Sequence, residues 1–187
     1  MHASRKYVLL AATALLVAGC GQEGETNEAA GNMADANVTA ADVPDTTIGE
    51  TLGGSADHST LMSAVKAAGL DATLSGSQPY TVFAPTNAAF DKLPDGAAEG
   101  LMQPDQKGQL TSIITYHIVP GVIMARDLAA AIERGNGKAE LATVGGGTLS
   151  AAMDGDVIVI TDGGGGEARV TQADMLQSNG VVHSIDT

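Results

Sequence analysis

Tyr80-Thr81-Val82-Phe83-Ala84-Pro85-Thr86-Asn87-Ala88-Ala89-Phe90 is the stretch on which the reading of this chain turns. Aromatic and β-branched residues from Tyr80 to Ala84 suit a pleated, half-buried strand. Pro85 bounds that strand, Thr86-Asn87 opens a turn, and Ala88 to Leu93 predicts a short helix. The Asn87 side chain is expected to fold onto nearby backbone amides and fix the corner. Phe83 and Phe90 are the only phenylalanines, and Tyr7 aside, Tyr80 and Tyr116 are the only tyrosines. Aromatic side chains bury roughly 150–250 Å² each, so these four are expected to nucleate the core.

Outward from this stretch, apolar periodicity begins near Ile48. Leu61, Met62, Val65 and Ala68 follow helical spacing, with Asp57 or Ser59 as caps and Gly69 as the stop. Leu110, Ile113, Ile114 and His117 lie on one face of a second helix. Asp127 is read as the cap of a third through Leu128 and Ile132, ended by Gly135. Strand patterns follow at 139–144, 148–153, 157–161, 168–171 and 181–185, with Asp154-Gly155 as a hairpin turn. Helices come mainly first and strands mainly after, which predicts an α+β fold.

Two further segments stand in register with the first: Tyr116-His117-Ile118-Val119-Pro120-Gly121 and Ser178-Asn179-Gly180-Val181-Val182-His183-Ser184-Ile185-Asp186. Together the three resemble the signatures of the fasciclin domain family, over roughly residues 48–187. The resemblance implies a wedge of two β-sheets with several packed helices. It also implies that Tyr80, Phe83, Pro85, Thr86, Asn87, Phe90, Asn179, Gly180 and His183 are mostly structural. Asn179-Gly180 supplies a positive φ at little cost and aims Val181-Val182 into the sheet. In animal members, an aspartate followed by an aliphatic residue near Asp174-Met175 is proposed to contact integrins, as is the Tyr-His segment. Tyr116, His117, Asp174 and Met175 are thus candidate adhesion contacts; the alternative is a turn before the last strand with Met175 or Leu176 inward. Relatives commonly continue past the Ile-Asp of the last segment, so a chain stopping at Thr187 is expected to melt below a longer relative.

Catalytic and metal chemistry find little support. A histidine base needs a nucleophile in reach and an orienting group. No Gly-x-Ser-x-Gly turn accompanies His117 or His183, and His58, His117 and His183 lack metal-ligand spacing. Asp154, Asp156 and Asp162 lack the glutamate that a twelve-residue calcium loop requires. Gly163 to Gly166 lacks the Lys-Ser or Lys-Thr of a phosphate loop, and reads as a floppy hairpin connection. No cofactor and no metal are expected.

The N-terminal portion decides location. Arg5 and Lys6 precede twelve uncharged, mostly apolar residues from Val8 to Gly19, and Cys20 follows at once. Twelve residues rise about 18 Å as a helix against a hydrocarbon core of roughly 30 Å, so the segment is an export signal rather than an anchor. Val17-Ala18-Gly19-Cys20 resembles the bacterial lipobox, which implies residues 1–19 as signal peptide and lipidation of Cys20. The alternative is an ordinary secretory signal with an incidental cysteine. Gly21, not aspartate, follows; this resembles outer-membrane sorting, on either the periplasmic or the surface face. Residues 20–47 form an acidic tether with Glu23, Glu25, Glu28, Asp35, Asp42 and Asp45 and no Lys or Arg. A flexible coil of 27 residues reaches about 5–6 Å × √27, near 30 Å.

Net charge is −13 over 187 residues, and loss of Arg5 and Lys6 with the signal makes it −15. That balance argues against nucleic acid, whose affinity rests on Lys and Arg. The expected function is a non-catalytic, lipid-anchored envelope module for adhesion, its partner a protein or polysaccharide of the matrix or a neighbouring cell. The alternative is a carrier of a small apolar ligand: some fasciclin-type proteins bind carotenoids, and Met62, Met102, Met124, Met153 and Met175 can line an adaptable groove.

Overall fold

A computed structural model describes residues 44–187, apart from Asp95 and the side chain of Glu99. The signal segment, Cys20 and most of the tether lie outside the described residues. The helices are α1 (Ile48–Gly54), α2 (Ser59–Ala68), α3 (Asp71–Leu74), α4 (Asn87–Phe90), α5 (Ala97–Leu101), α6 (Lys107–Tyr116) and α7 (Ala125–Arg134). The strands are β1 (Tyr80–Pro85), β2 (Ile118–Pro120), β3 (Ala139–Ala142), β4 (Thr148–Asp154), β5 (Val157–Thr161), β6 (Glu167–Gln177) and β7 (Gly180–Ile185). The α+β reading holds.

Strand order is β2-β1-β7-β6-β5-β4-β3. The two expected sheets are two leaves of one ladder that share β6. Its first residues pair with β5 (Ile160↔Ala168), and its later ones pair with β7 (Leu176↔Val181). Register shifts between Val170 and Gln172 and between Gln172 and Met175 separate the leaves, as expected where bulges bend a strand. The sequence pattern ended this strand at Thr171; it runs to Gln177, because polar Gln172 and Asp174 fall at the bulges and hide the alternation.

The three signature segments become three neighbouring strands. β1 runs parallel to β7 from Tyr80↔Gly180 to Pro85↔Ile185, and antiparallel to β2 from Tyr80↔Pro120 to Val82↔Ile118. Alternation along these strands feeds two cores. Val82, Ala84, Ile118 and Val182 face α1, α2, α3 and α6 through Ile48, Leu52, Leu61, Val65, Leu74, Leu110 and Ile114. Phe83, Val119 and Ile185 face α7 and the second leaf through Leu128, Ile132, Leu149, Ala151, Ile158 and Ile160. The expectation of an aromatic nucleus needs correction. Only Phe83 is fully buried, while Tyr80, Phe90 and Tyr116 are half-buried at the margins of the two cores. Aliphatic side chains outnumber aromatics heavily here, and a tyrosine hydroxyl favours a margin where it finds a polar partner.

Two asparagines act over long sequence distance. Asn87 does not cap its own corner: its Oδ1 accepts from Thr60 N–H at 3.0 Å, and its Nδ2 donates to the Ala56 carbonyl at 2.7 Å. It supplies the N-terminal cap of α2 that Asp57 and Ser59 were expected to give. Asn179 is buried; its Oδ1 accepts from Ile48 N–H at 2.8 Å, and its Nδ2 donates to Leu74 and Gly76 carbonyls at 2.8 and 2.6 Å. One amide thereby ties α1, the end of α3 and the start of β7. Beside it Gly180 has φ 149°, and a Cβ there would collide with the Tyr80 carbonyl oxygen. α7 begins at Ala125 with Met124 as its N-cap, three residues before the position expected. Asp127 sits inside its first turn, where its carboxylate accepts from Met124 N–H at 3.3 Å.

Asn179→Ala leaves a buried N–H, a buried carbonyl and a half-buried carbonyl without that partner. We expect a loss of about 3 kcal/mol of unfolding free energy at roughly 1–3 kcal/mol per orphaned group, read by urea denaturation. Asn87→Ala, at a more open site, is expected to cost about 1 kcal/mol. A smaller loss at Asn179 than at Asn87 would refute this ranking.

Candidate functional site

His183 lies on β7 beneath α7, fully buried and stacked on Phe83 with centroids 5.5 Å apart and planes 26° apart. Its Nδ1 accepts from Asp174 N–H at 3.2 Å, so the ring proton sits on Nε2, which donates to the Ile123 carbonyl at 2.9 Å. Asp174 has φ 57°, in the left-handed region, at the second register shift of β6. Its carboxylate Oδ1 accepts from Ala125 N–H at 2.7 Å, placing a negative charge at the positive end of α7. His183 and Asp174 therefore join the bulge, the last strand and the start of α7. Thr81, overlooked in the sequence, completes the joint: its hydroxyl donates to the Gly121 carbonyl at 2.8 Å and accepts from Ile123 N–H at 2.9 Å. A single threonine hydroxyl within an otherwise apolar strand pattern was the available signal.

The Tyr-His segment sits at the end of α6. Tyr116 hydroxyl donates to the Thr148 carbonyl at 2.8 Å and accepts from Gly163 N–H at 2.9 Å. Its ring lies so close over Gly147 that a Cβ there would collide with it. The Gly163–Gly166 connection is not floppy. Asp162 Oδ1 accepts from both Gly164 and Gly166 N–H at 2.8 Å, an Asx-type turn that Tyr116 fastens from outside. His117 Nδ1–H donates to the Ile113 carbonyl at 2.8 Å, one turn back along α6. No hydrogen bond joins Tyr116 or His117 to Asp174 or Met175 among the described residues. All four side chains are half-buried, and Met175 packs against the first core.

His58 is buried too, with Ser55 Oγ at 3.0 Å from Nδ1 and Ser184 Oγ at 3.0 Å from Nε2. Among the described residues no group of three His, Cys, Asp or Glu side chains is placed to hold a metal ion.

An apolar groove of about 290 Å³ opens between α2, α4, α5 and α6. The helix face read from sequence as Leu110, Ile113, Ile114 and His117 forms one wall, and Phe90, Leu93, Leu101 and Met102 contribute to the other side. Leu93 and Ile113, exposed by 41% and 36%, are both on the groove lining. A smaller cavity of about 170 Å³ adjoins, lined by Phe83, Tyr116, Leu149, Asp162 and others; His117 and Thr187 line both.

Burial holds all three imidazoles below the ordinary 6.5, against weaker upward pulls from Asp57 on His58, from the Ile113 carbonyl and Asp162 on His117, and from the Ile123 carbonyl and Asp174 on His183. Below about pH 6.5 the unfolded chain then binds more protons than the folded one, so these groups subtract stability as pH falls. Relief of acidic self-repulsion runs the other way, so the informative quantity is a difference. The melting-temperature gap between parent and His183→Gln is expected to be widest at pH 7–8 and to shrink towards pH 5. Thermal melts across that range check it, and a gap that widens on acidification would overturn it.

Comparison with known proteins follows the same lines. The Fasciclin domain family model matches residues 56–187. Protein sll1483 of Synechocystis sp. is 45% identical over 141 residues, 75% of this chain and 71% of that one. Transforming growth factor-beta-induced protein ig-h3 of Sus scrofa is 31% identical over 141 residues, 75% of this chain but 19% of its own length. Cell surface glycolipoprotein MPB83 of Mycobacterium bovis is 57% identical over 49 residues, 26% of this chain and 21% of its own. A solved FAS1 domain pair from the insect cell adhesion molecule Fasciclin I superposes with a TM-score of 0.69 at 23% identity, over 78% of this chain and 51% of that one, and shares the fold. The strands β2, β1 and β7 that carry the signatures fall within the matched span, and the chain belongs to the fasciclin domain family.

Proposed function

We propose that this chain is a lipid-tethered module of a bacterial cell envelope that binds a partner and does not transform it. The observation that carries this reading is the use of its polar chemistry inside the fold. His58 and His183 have both ring nitrogens engaged, and the Tyr116 hydroxyl and Asp174 carboxylate hold backbone groups. A general base so occupied has no face to offer a substrate, and His117, whose Nε2 is left over, has no side-chain nucleophile or carboxylate hydrogen-bonded to it among the described residues. Two similar proteins support the setting: one relative is a cell surface glycolipoprotein, and the fold neighbour is a cell adhesion molecule.

In this reading acyl chains on Cys20 fix the chain to the membrane, and the acidic tether holds the domain about 30 Å clear of the headgroups. The partner is a protein or polysaccharide of the matrix or a neighbouring cell; secretion without the anchor is the alternative. The exposed parts of Tyr116, His117, Asp174 and Met175 are candidate contacts, on side chains whose polar ends are fastened. Turnover of a substrate by the purified domain, lost on His117→Ala without unfolding, would overturn the non-catalytic reading. For the anchor, cells fed an alkyne palmitate analogue are expected to label the parent and leave Cys20→Ser unlabelled; equal labelling of both would refute lipidation at Cys20.

The apolar groove favours a second reading, a carrier of a small apolar ligand; a carotenoid, much longer than the groove, would seat only one end there. The groove volume of about 290 Å³ stands at the low end of the ~300–1,000 Å³ typical of ligand sites. Protein isolated from its native host is expected to carry co-purifying visible absorption if the ligand is a carotenoid, and a colourless preparation removes that ligand.

A further inference from the structure

Groove and His117 together specify more than apolarity. The Ile113 carbonyl fixes the His117 ring proton on Nδ1. Nε2 is then a bare acceptor, and no hydrogen-bond partner accompanies it among the described residues. The ring lines both the groove and the adjoining cavity, and no buried side-chain nitrogen among the described residues lacks a partner, so Nε2 is an open acceptor on that lining. The surrounding charges narrow what it can accept. Lys92 is the only cationic side chain lining the groove, and it is already engaged. Its Nζ donates to the Asp186 carbonyl at 2.6 Å and the Thr187 hydroxyl at 3.3 Å, and pairs with the Asp186 carboxylate at 3.6 Å. Asp162 and Glu167 line the smaller cavity, so negative charge lies on that side. A carboxylate-headed ligand would meet repulsion there and an imidazole without a proton to give. A neutral hydroxyl donates to that imidazole without adding charge.

We propose that the groove binds a small apolar alcohol, its hydrocarbon part among Leu61, Phe90, Leu101, Met102, Ile113 and Ile114 and its hydroxyl donating to His117 Nε2. This rests on the carrier reading of the groove and names its ligand class. At roughly 30 Å³ per non-hydrogen atom, the share of a water molecule in the liquid, 290 Å³ holds about ten such atoms. A site built around one hydrogen bond discriminates against an analogue that lacks the donor, because the acceptor is then left unpaired.

The test uses ¹⁵N-labelled chain expressed from the full sequence with Cys20→Ser, which removes any acyl group that would compete for the groove. At pH 8 it is titrated with 1-octanol, with methyl octyl ether and with octanoate. Amide shifts of Leu101, Met102 and Ile113 report the groove, and the His117 imidazole nitrogen reports the hydrogen bond. Octanol is expected to bind about tenfold tighter than the ether and to move the Nε2 resonance, with octanoate weaker than octanol. His117→Phe keeps ring and apolarity, and brings octanol down to the ether's affinity. Ala98→Phe, which narrows the groove from α5, weakens all three probes. If His117→Phe does not fold, the Nε2 resonance of the parent decides alone. Binding of none of the probes would overturn the carrier reading and this assignment together. Octanol and ether bound equally, octanoate bound more tightly than octanol, or an unmoved Nε2 resonance would overturn the alcohol assignment and leave the carrier reading standing.

Discussion

Parallel pairing of β1 with β7 is the constraint from which the rest of the arrangement follows. These two strands are the second and third of the seven and run side by side for six residues, so every side chain on one has a fixed neighbour on the other. Their alternation assigns Val82, Ala84 and Val182 to the helical core, and Phe83 and Ile185 to the core beneath α7. His183 enters the second core only because Phe83 stands opposite to stack on it. Asn179 works because the chain entering β7 passes the first residue of α1 and the last turn of α3.

Much of this architecture was legible in local patterns. Short runs of β-branched and aromatic residues bounded by turn residues exposed β1, β5 and β7, which are buried along most of their length, and period-3.6 spacing with a left-handed Gly69 exposed α2 and its end. The hidden parts share one physical cause: their polar residues serve partners far along the chain. Asn87 looks like a local turn residue, yet it bonds 27 to 31 residues upstream. Asp174 looks like a surface turn, yet its carboxylate holds a helix 49 residues upstream. Asp127 looks like a cap, but a cap and a first-turn acid are chemically alike at a helix start, and spacing does not separate them. The groove had half a signature: the face of α6 was visible, while its opposite wall lies on two short helices without periodicity of their own.

Signature residues in this chain are thus best understood as joints. Tyr116 fastens two loops, His183 fastens a bulge to a helix start, and Asn87 and Asn179 fasten helices to strands. Side chains that complete such joints have little polar capacity left for a substrate. The surface that remains open is of another kind: an apolar recess with one engaged lysine at its lip and one histidine at its end. That division between a polar interior framework and an apolar opening favours recognition by shape and burial over bond-making chemistry.

The same central pairing has a kinetic corollary. Tyr80 meets Gly180 a hundred positions further along, and β7 is the last strand of the domain. Closing so long a loop is entropically demanding, and non-local contacts of this sort place a domain among slow folders. During synthesis β1 therefore waits without its neighbour until β7 has emerged. A chain that stays open that long remains threadable, which is the condition a translocation pore imposes on anything destined for the far side of a membrane.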